Sequence, residues 1–99
     1  MEKNAKVVII GGGVVGCSIL YHLSKFGLKD CILLERNELT SGSSWHAAGN
    51  VHVISSDPNI SRMMAYTIGL YKEIEKESGH SVGFKPSGGF YLASNDVWA

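Results

Sequence analysis

The run Lys6-Val7-Val8-Ile9-Ile10 breaks directly into Gly11-Gly12-Gly13-Val14-Val15-Gly16. A continuous β-branched stretch of this length reads as a strand buried on both faces of a sheet. Beyond the glycines the apolar period changes. Val15, Ile19, Leu20, Leu23 and Phe26 recur at helical spacing, and Gly27 stands where a helix stops. Cys31-Ile32-Leu33-Leu34 is a second apolar run, closed by Glu35. Strand, helix and strand in this order predict a βαβ unit with parallel strands and a right-handed crossover. The expected fold class is α/β, a Rossmann-like unit of a doubly wound parallel sheet.

The spacing Gly11-x-Gly13-x-x-Gly16 adds chemistry to that fold. Its glycines permit a tight turn, a close approach of backbone to a pyrophosphate, and tight packing of helix on strand. The N-terminus of the helix that follows turns unpaired N–H groups and a partial positive charge toward the phosphates. Glu35 ends the next strand about 20 residues further on, where a carboxylate accepts from the ribose hydroxyls of an adenosine. These residues predict a dinucleotide site; a purely structural glycine turn is the alternative. FAD and NAD both use such a unit, so the turn alone leaves the choice open. Glu35 repels a 2′-phosphate, which makes NADP the poorest fit. Arg36 is read as flanking the adenosine.

From Asn37 to Asn50 the chain is rich in Ser, Gly and Thr and reads as a loop. Gly42 and Gly49 allow close backbone contact with an extended polar ligand, and Ser43 and Ser44 can donate to phosphate or ribityl oxygens. Trp45 and His46, followed by Ala47 and Ala48, suit the edge of a large flat ring. His46 is either a ligand-bonding imidazole or a surface-loop histidine. Asp57-Pro58 then looks like an N-cap followed by proline in a first turn. Ile60, Met63, Met64, Ile68, Tyr71 and Ile74 mark one helical face, with the methionines read as core packing, and Gly79 ends the helix. Val82-Gly83-Phe84 and Gly89-Phe90-Tyr91-Leu92-Ala93 read as two short strands.

Composition excludes several classes. With 44% hydrophobic and 18% charged residues the balance is globular, and zero formal net charge gives no long-range pull toward nucleic acid or an anionic membrane. The apolar runs are too short to span a bilayer. Met1 to Lys6 lacks the features of a signal or transit peptide, so cytoplasmic residence is expected. Cys17 and Cys31 sit in apolar runs and read as small buried hydrophobes, with no disulfide. His22 and His80 carry no chemistry, whereas His52 can stand near a bound ring. Neither a metal cluster nor a Ser-His-Asp arrangement is present. One βαβ unit with a helix and two strands cannot cover both faces of a parallel sheet. The 99 residues are therefore expected to be the N-terminal part of a dinucleotide-binding domain, incomplete at the C-terminus.

Three segments resemble the dimethylglycine and sarcosine dehydrogenases, within the glycine and D-amino-acid oxidase group of flavoproteins. They are Val7 to Gly16, Leu34-Glu35-Arg36, and Leu39-Thr40-Ser41-Gly42-Ser43-Ser44-Trp45-His46-Ala47-Ala48-Gly49. Weaker similarity runs on to Leu92-Ala93. The resemblance implies FAD as cofactor, with Val14, Val15, Glu35, Arg36 and residues Gly42 to Asn50 as flavin contacts. It implies that a ring nitrogen of His46 is bonded to the 8α-methylene of the flavin. Asn50 departs from the family pattern, which has an apolar residue there. The implied reaction is oxidative demethylation of a small N-methylated amino acid, with an electron-transfer flavoprotein or oxygen as acceptor. Three rivals stand beside it: an amine or D-amino-acid oxidase with dissociable FAD, a non-catalytic regulatory relative, and an NAD-dependent dehydrogenase. The catalytic residues are not identifiable within this segment.

Overall fold

The computed structural model describes residues 4–94 and divides into two compact units, Met1–Gly49 and Asn50–Ala99. In the first, strand β1 (Val7–Ile10), helix α1 (Val14–Lys25) and strand β2 (Cys31–Leu34) come one after another. The strands pair in parallel, Val7 opposite Cys31 and Ile10 opposite Leu34. One further bond, from the Gly11 N–H to the Leu34 carbonyl (2.8 Å), carries the ladder into the turn. The predicted βαβ unit is therefore present.

Helix α1 closes at Gly27, as its sequence predicts. The Gly27 N–H donates to Ser24 O and the Leu28 N–H to Leu23 O, both at 3.0 Å. This pair of reversed bonds satisfies carbonyls that the end of a helix leaves unpartnered. Helix α1 packs on both strands, and Ile9, only 6% exposed, is the buried hydrophobe beneath it.

Burial of β1 on both faces is not observed. Val8 is half exposed and Ile10 is 86% exposed. Side chains alternate between the faces of a strand, and among the described residues α1 covers one face of this two-stranded sheet. The cysteines are half-buried and free rather than fully enclosed.

In the second unit, helix α3 (Pro58–Ser78) begins as the sequence predicts. The Asp57 carboxylate accepts from the Asn59 N–H at 2.7 Å and the Ile60 N–H at 3.4 Å. At the far end Gly79 adopts a left-handed conformation and its N–H donates to Glu75 O. Met64, Ile68, Tyr71 and Ile74 lie half-buried on one face, where the Phe84 ring comes within 6.1 Å of Tyr71. Met63 does not behave as a core residue: it is 65% exposed.

The two strands expected at 82–84 and 89–93 do not form. Two N–H groups within 81–87 bond locally instead. The Gly83 N–H donates to Ser81 Oγ (3.0 Å) and the Ser87 N–H to Lys85 O (2.9 Å), short-range bonds that compete with a ladder. Phe90 and Leu92 are 99% and 95% exposed. The expectations about Met1 to Lys3 and about residues 95–99 lie outside the described residues. Among the described residues no helix is long and apolar enough to cross a membrane.

Candidate functional site

The site is built around the turn between β1 and α1. Gly11 takes φ +109°, a conformation that L side chains rarely adopt. Gly16 is buried, and a Cβ there would run into the Gly11 carbonyl oxygen. The turn and the helix thus touch backbone to backbone, which is what the fingerprint glycines are for. Gly13 caps α1 with extended backbone and supplies no side-chain acceptor. In its place Ser44 Oγ accepts the Val14 N–H at 2.8 Å.

Gly12 lies in a variable position of the fingerprint, so reasoning from the motif misses it. It is one of the most constrained residues in the unit. Its N–H donates to Glu35 Oε2 at 2.7 Å and its carbonyl accepts from the Thr40 N–H at 2.8 Å. The Cys17 thiol points at the same carbonyl, at 3.6 Å. A Cβ on Gly12 would lie 2.6 Å from Leu39 Cδ2 and 3.1 Å from Glu35 Cβ. The signal available in the sequence is a third glycine where the motif asks for two.

Glu35 therefore has two attachments, since Oε1 also accepts the Asn37 N–H at 3.2 Å. The Gly12 N–H, then the Asn37 N–H, hold its carboxyl below the usual range of about 4.5. Arg36, exposed on the adjoining position, adds a smaller pull in the same direction. A carboxylate offers about four lone-pair sites, so two such bonds leave room for ribose hydroxyls. Because the folded pKa is depressed, the carboxylate's contribution to stability is present above its unfolded value and is lost as pH falls through the folded one.

The stretch 37–50 is not wholly loop. Ser43–His46 winds into a single turn, α2, starting at Gly42. His46 Nδ1 lies 2.8 Å from Gly42 O. A carbonyl oxygen only accepts, so Nδ1 is the donor, and in the neutral imidazole the lone pair is then on Nε2. Ser44 is half-buried, while Gly42, Ser43, Trp45, His46, Ala47, Ala48 and Gly49 are exposed. The structure thus brings Gly11, Gly12, Gly13, Val14, Gly16, Glu35 and Ser44 into one cluster. The side chains of Val14 and Val15 point to solvent, leaving their backbone as the functional part. Asn50 belongs to the other unit, where it lines an open concavity of about 320 Å³ with His52, Met63, Met64 and Tyr71. Among the described residues no group of His, Cys, Asp and Glu could hold a metal ion.

A parallel βαβ unit with this turn and this acidic strand end defines a dinucleotide-binding protein. A family model described as FAD dependent oxidoreductase matches residues 6–99. The chain belongs to that family. It is 47% identical over 96 residues to human dimethylglycine dehydrogenase, mitochondrial, an overlap of 97% of this chain and 11% of that protein. It is 41% identical over 96 residues to human sarcosine dehydrogenase, mitochondrial, covering 96% of this chain and 10% of that protein. Its identity to the mouse pyruvate dehydrogenase phosphatase regulatory subunit, mitochondrial, is 39% over 93 residues, covering 94% of this chain and 11% of that protein. The chain thus spans about a tenth of the length of these curated relatives. At family level the choice between FAD and NAD falls to FAD.

The residues present fit the adenosine and pyrophosphate end of FAD. Open space lies over Gly11, and the N–H groups of Val15 and Gly16 have no acceptor within the helix. The Glu35 carboxylate, held below its usual range by the Gly12 N–H, has lone pairs left to accept from a ribose.

Proposed function

We propose that this segment holds FAD in an oxidoreductase acting on a small N-methylated amino acid. In this reading it is the N-terminal part of an FAD-binding domain, with substrate contacts supplied elsewhere in the protein. The dinucleotide part of this reading is carried by the Glu35 carboxylate, bonded to the Gly12 N–H beside the first-turn N–H groups of Val15 and Gly16, and the choice of FAD by the family match. The bound flavin supplies a two-electron acceptor for a C–H bond next to nitrogen, with an electron-transfer flavoprotein or oxygen reoxidising it.

The chain's own residues bind and orient. First-turn N–H groups of α1 take the pyrophosphate, and Glu35 accepts from the ribose, with Arg36 beside it. Gly42, Ser43, Trp45, Ala47, Ala48 and Gly49 would line the path toward the flavin ring. His46 would present the Nε2 lone pair of its neutral imidazole to the flavin's 8α carbon, with Gly42 O on Nδ1. Similarity to the two dehydrogenases supports the substrate class.

Similarity to the phosphatase regulatory subunit favours a second reading, a non-catalytic relative. One experiment separates the two. Full-length protein is expected to show the two absorption bands of oxidised flavin and to bleach anaerobically on addition of dimethylglycine or sarcosine. A flavin spectrum that neither amine bleaches would remove the substrate class. A colourless protein would remove the cofactor assignment.

Glu35→Ala tests the ribose contact. Hydrogen bonds to charged groups are strong enough that FAD affinity should fall roughly ten- to a hundredfold. Affinity is measured in a His46→Ala background, so that no covalent bond hides the loss. Unchanged affinity would mean that the carboxylate serves only the turn.

A further inference from the structure

We infer that Ser44 is a positioning residue for covalent attachment of the cofactor: its hydroxyl fixes the His46 imidazole relative to the phosphate-binding turn. The inference rests on the reading of His46 given above and adds the device that makes that histidine competent.

Helix α2 is a single turn of four residues. So short a helix has no stability of its own, because nucleation costs more than one turn of bonds returns. Its place must be set by contacts outside it. Two such contacts join the segment to the glycine turn. The Thr40 N–H donates to Gly12 O at 2.8 Å, with Thr40 held at φ +63°, an unfavourable conformation for a β-branched residue. The second is the bond from the Val14 N–H to Ser44 Oγ. Thr40 fixes where the segment leaves the turn; Ser44 fixes α2 itself.

Ser44 also fills the space beside Gly13. A Cβ on Gly13 would lie 3.1 Å from Ser44 Oγ, so the absent side chain is what lets the hydroxyl reach α1. His46 stands two residues further along the same turn. Its ring is held by Gly42 O at 2.8 Å, and the Trp45 N–H donates to the same carbonyl at 3.2 Å. The path from phosphate turn to imidazole therefore runs through Val14, Ser44 and the α2 backbone, with Gly42 O orienting the ring. Joining Nε2 to the flavin's 8α carbon would release the Nδ1 proton and one 8α proton and leave two electrons on the flavin, to be removed by the same oxygen or electron-transfer flavoprotein. Such a step needs a near-attack geometry, and a displacement of about 1 Å can slow a reaction about a hundredfold. Ser44 thus acts on the rate of bond formation more than on cofactor capture.

The test uses full-length apoprotein mixed with saturating FAD, so that weakened capture does not limit the rate. Covalent incorporation is followed as flavin fluorescence that survives denaturing electrophoresis. Non-covalent affinity is measured separately by spectral titration in a His46→Ala background, with and without Ser44→Ala. Ser44→Ala is expected to slow incorporation tenfold or more while changing non-covalent affinity less than about threefold. Ser44→Thr, which keeps the hydroxyl, should restore most of the rate. Ser41→Ala, an exposed hydroxyl of the same loop, should leave it unchanged.

Equal rates in wild type and Ser44→Ala would overturn the inference. So would an affinity loss as large as the loss of rate, which would make Ser44 simply a cofactor contact. A Ser44→Ala protein that takes up no FAD would be judged by Ser44→Thr. A Ser44→Thr protein that recovers the rate supports positioning by the hydroxyl, whereas one of normal affinity that stays slow refutes it. Wild-type protein that never becomes covalently labelled would refute the His46 reading instead.

Discussion

Acid denaturation of the full-length wild-type protein is expected to leave the flavin on the polypeptide, and the same treatment of His46→Ala to release all of it. The reason lies in the tautomer. Gly42 O sits 2.8 Å from His46 Nδ1 and fixes the proton there, so the nitrogen presented outward is the one with an available lone pair. An imidazole nitrogen in that state is a competent nucleophile, and the exposed loop around His46, with Ala47 and Ala48 beside it, leaves room for a ring edge. Fluorescence in a denaturing gel and the mass of a proteolytic peptide containing His46 give the result directly. His46→Ala should keep the fold and bind FAD reversibly, with slower reduction by substrate. Complete release of flavin by the wild type, even after prolonged incubation with excess FAD, would leave dissociable FAD as the description.

The second large effect is expected from Gly16→Ala. Its new methyl would meet the carbonyl oxygen of Gly11, a backbone atom, with Ile9 Cγ2 also near at 3.4 Å. Neither neighbour can swing aside. Gly11 is itself bonded through its N–H to Leu34 O, so the turn cannot retreat without disturbing the end of the strand ladder. Overpacking of this kind costs roughly 1–3 kcal/mol, occasionally more, and here it displaces the N–H groups that face the pyrophosphate. FAD affinity should drop more than a hundredfold, and melting should occur at lower temperature. Gly69→Ala is the control. It lies within α3, a Cβ there meets nothing within 4 Å, and alanine favours a helix interior by roughly 0.5–1 kcal/mol. Wild-type affinity in Gly16→Ala would show that the phosphates are held somewhere else.

The features legible from the residues alone are those governed by strong local rules. Val7 to Ile10, Gly27, Asp57-Pro58 and Gly79 are punctuation with short-range causes, and each does in the structure what its chemistry suggests. The expectations that fail need partners distant in sequence. A β-branched run implies burial only if something covers both faces, and Ile10 is left open on this sheet. Residues 82–84 have strand-like composition, but the Gly83 N–H finds its acceptor in Ser81 Oγ, two residues away. Only its period assigns Met63 to a core, and period does not say how wide the covered stripe is.

In the site, the roles of Gly11, Gly16 and Glu35 are legible because a known turn demands them. That of Gly12 is not, since its constraint comes from Leu39 and Thr40, which no spacing rule ties to it. The turn formed by Ser43–His46 is also hidden, because four residues carry too little periodicity to announce a helix.

The double attachment of Glu35 bears on attempts to redesign nucleotide preference. Exchanging the acidic residue for a small or basic one is the obvious way to admit a 2′-phosphorylated ligand. In this chain the same carboxylate closes the turn through the Gly12 N–H and steadies the next residues through Asn37. Removing it to relieve repulsion would also leave a buried glycine N–H without its acceptor. Specificity and turn geometry are therefore encoded in one side chain. A successful exchange would have to supply a replacement acceptor for Gly12 along with the new phosphate contact.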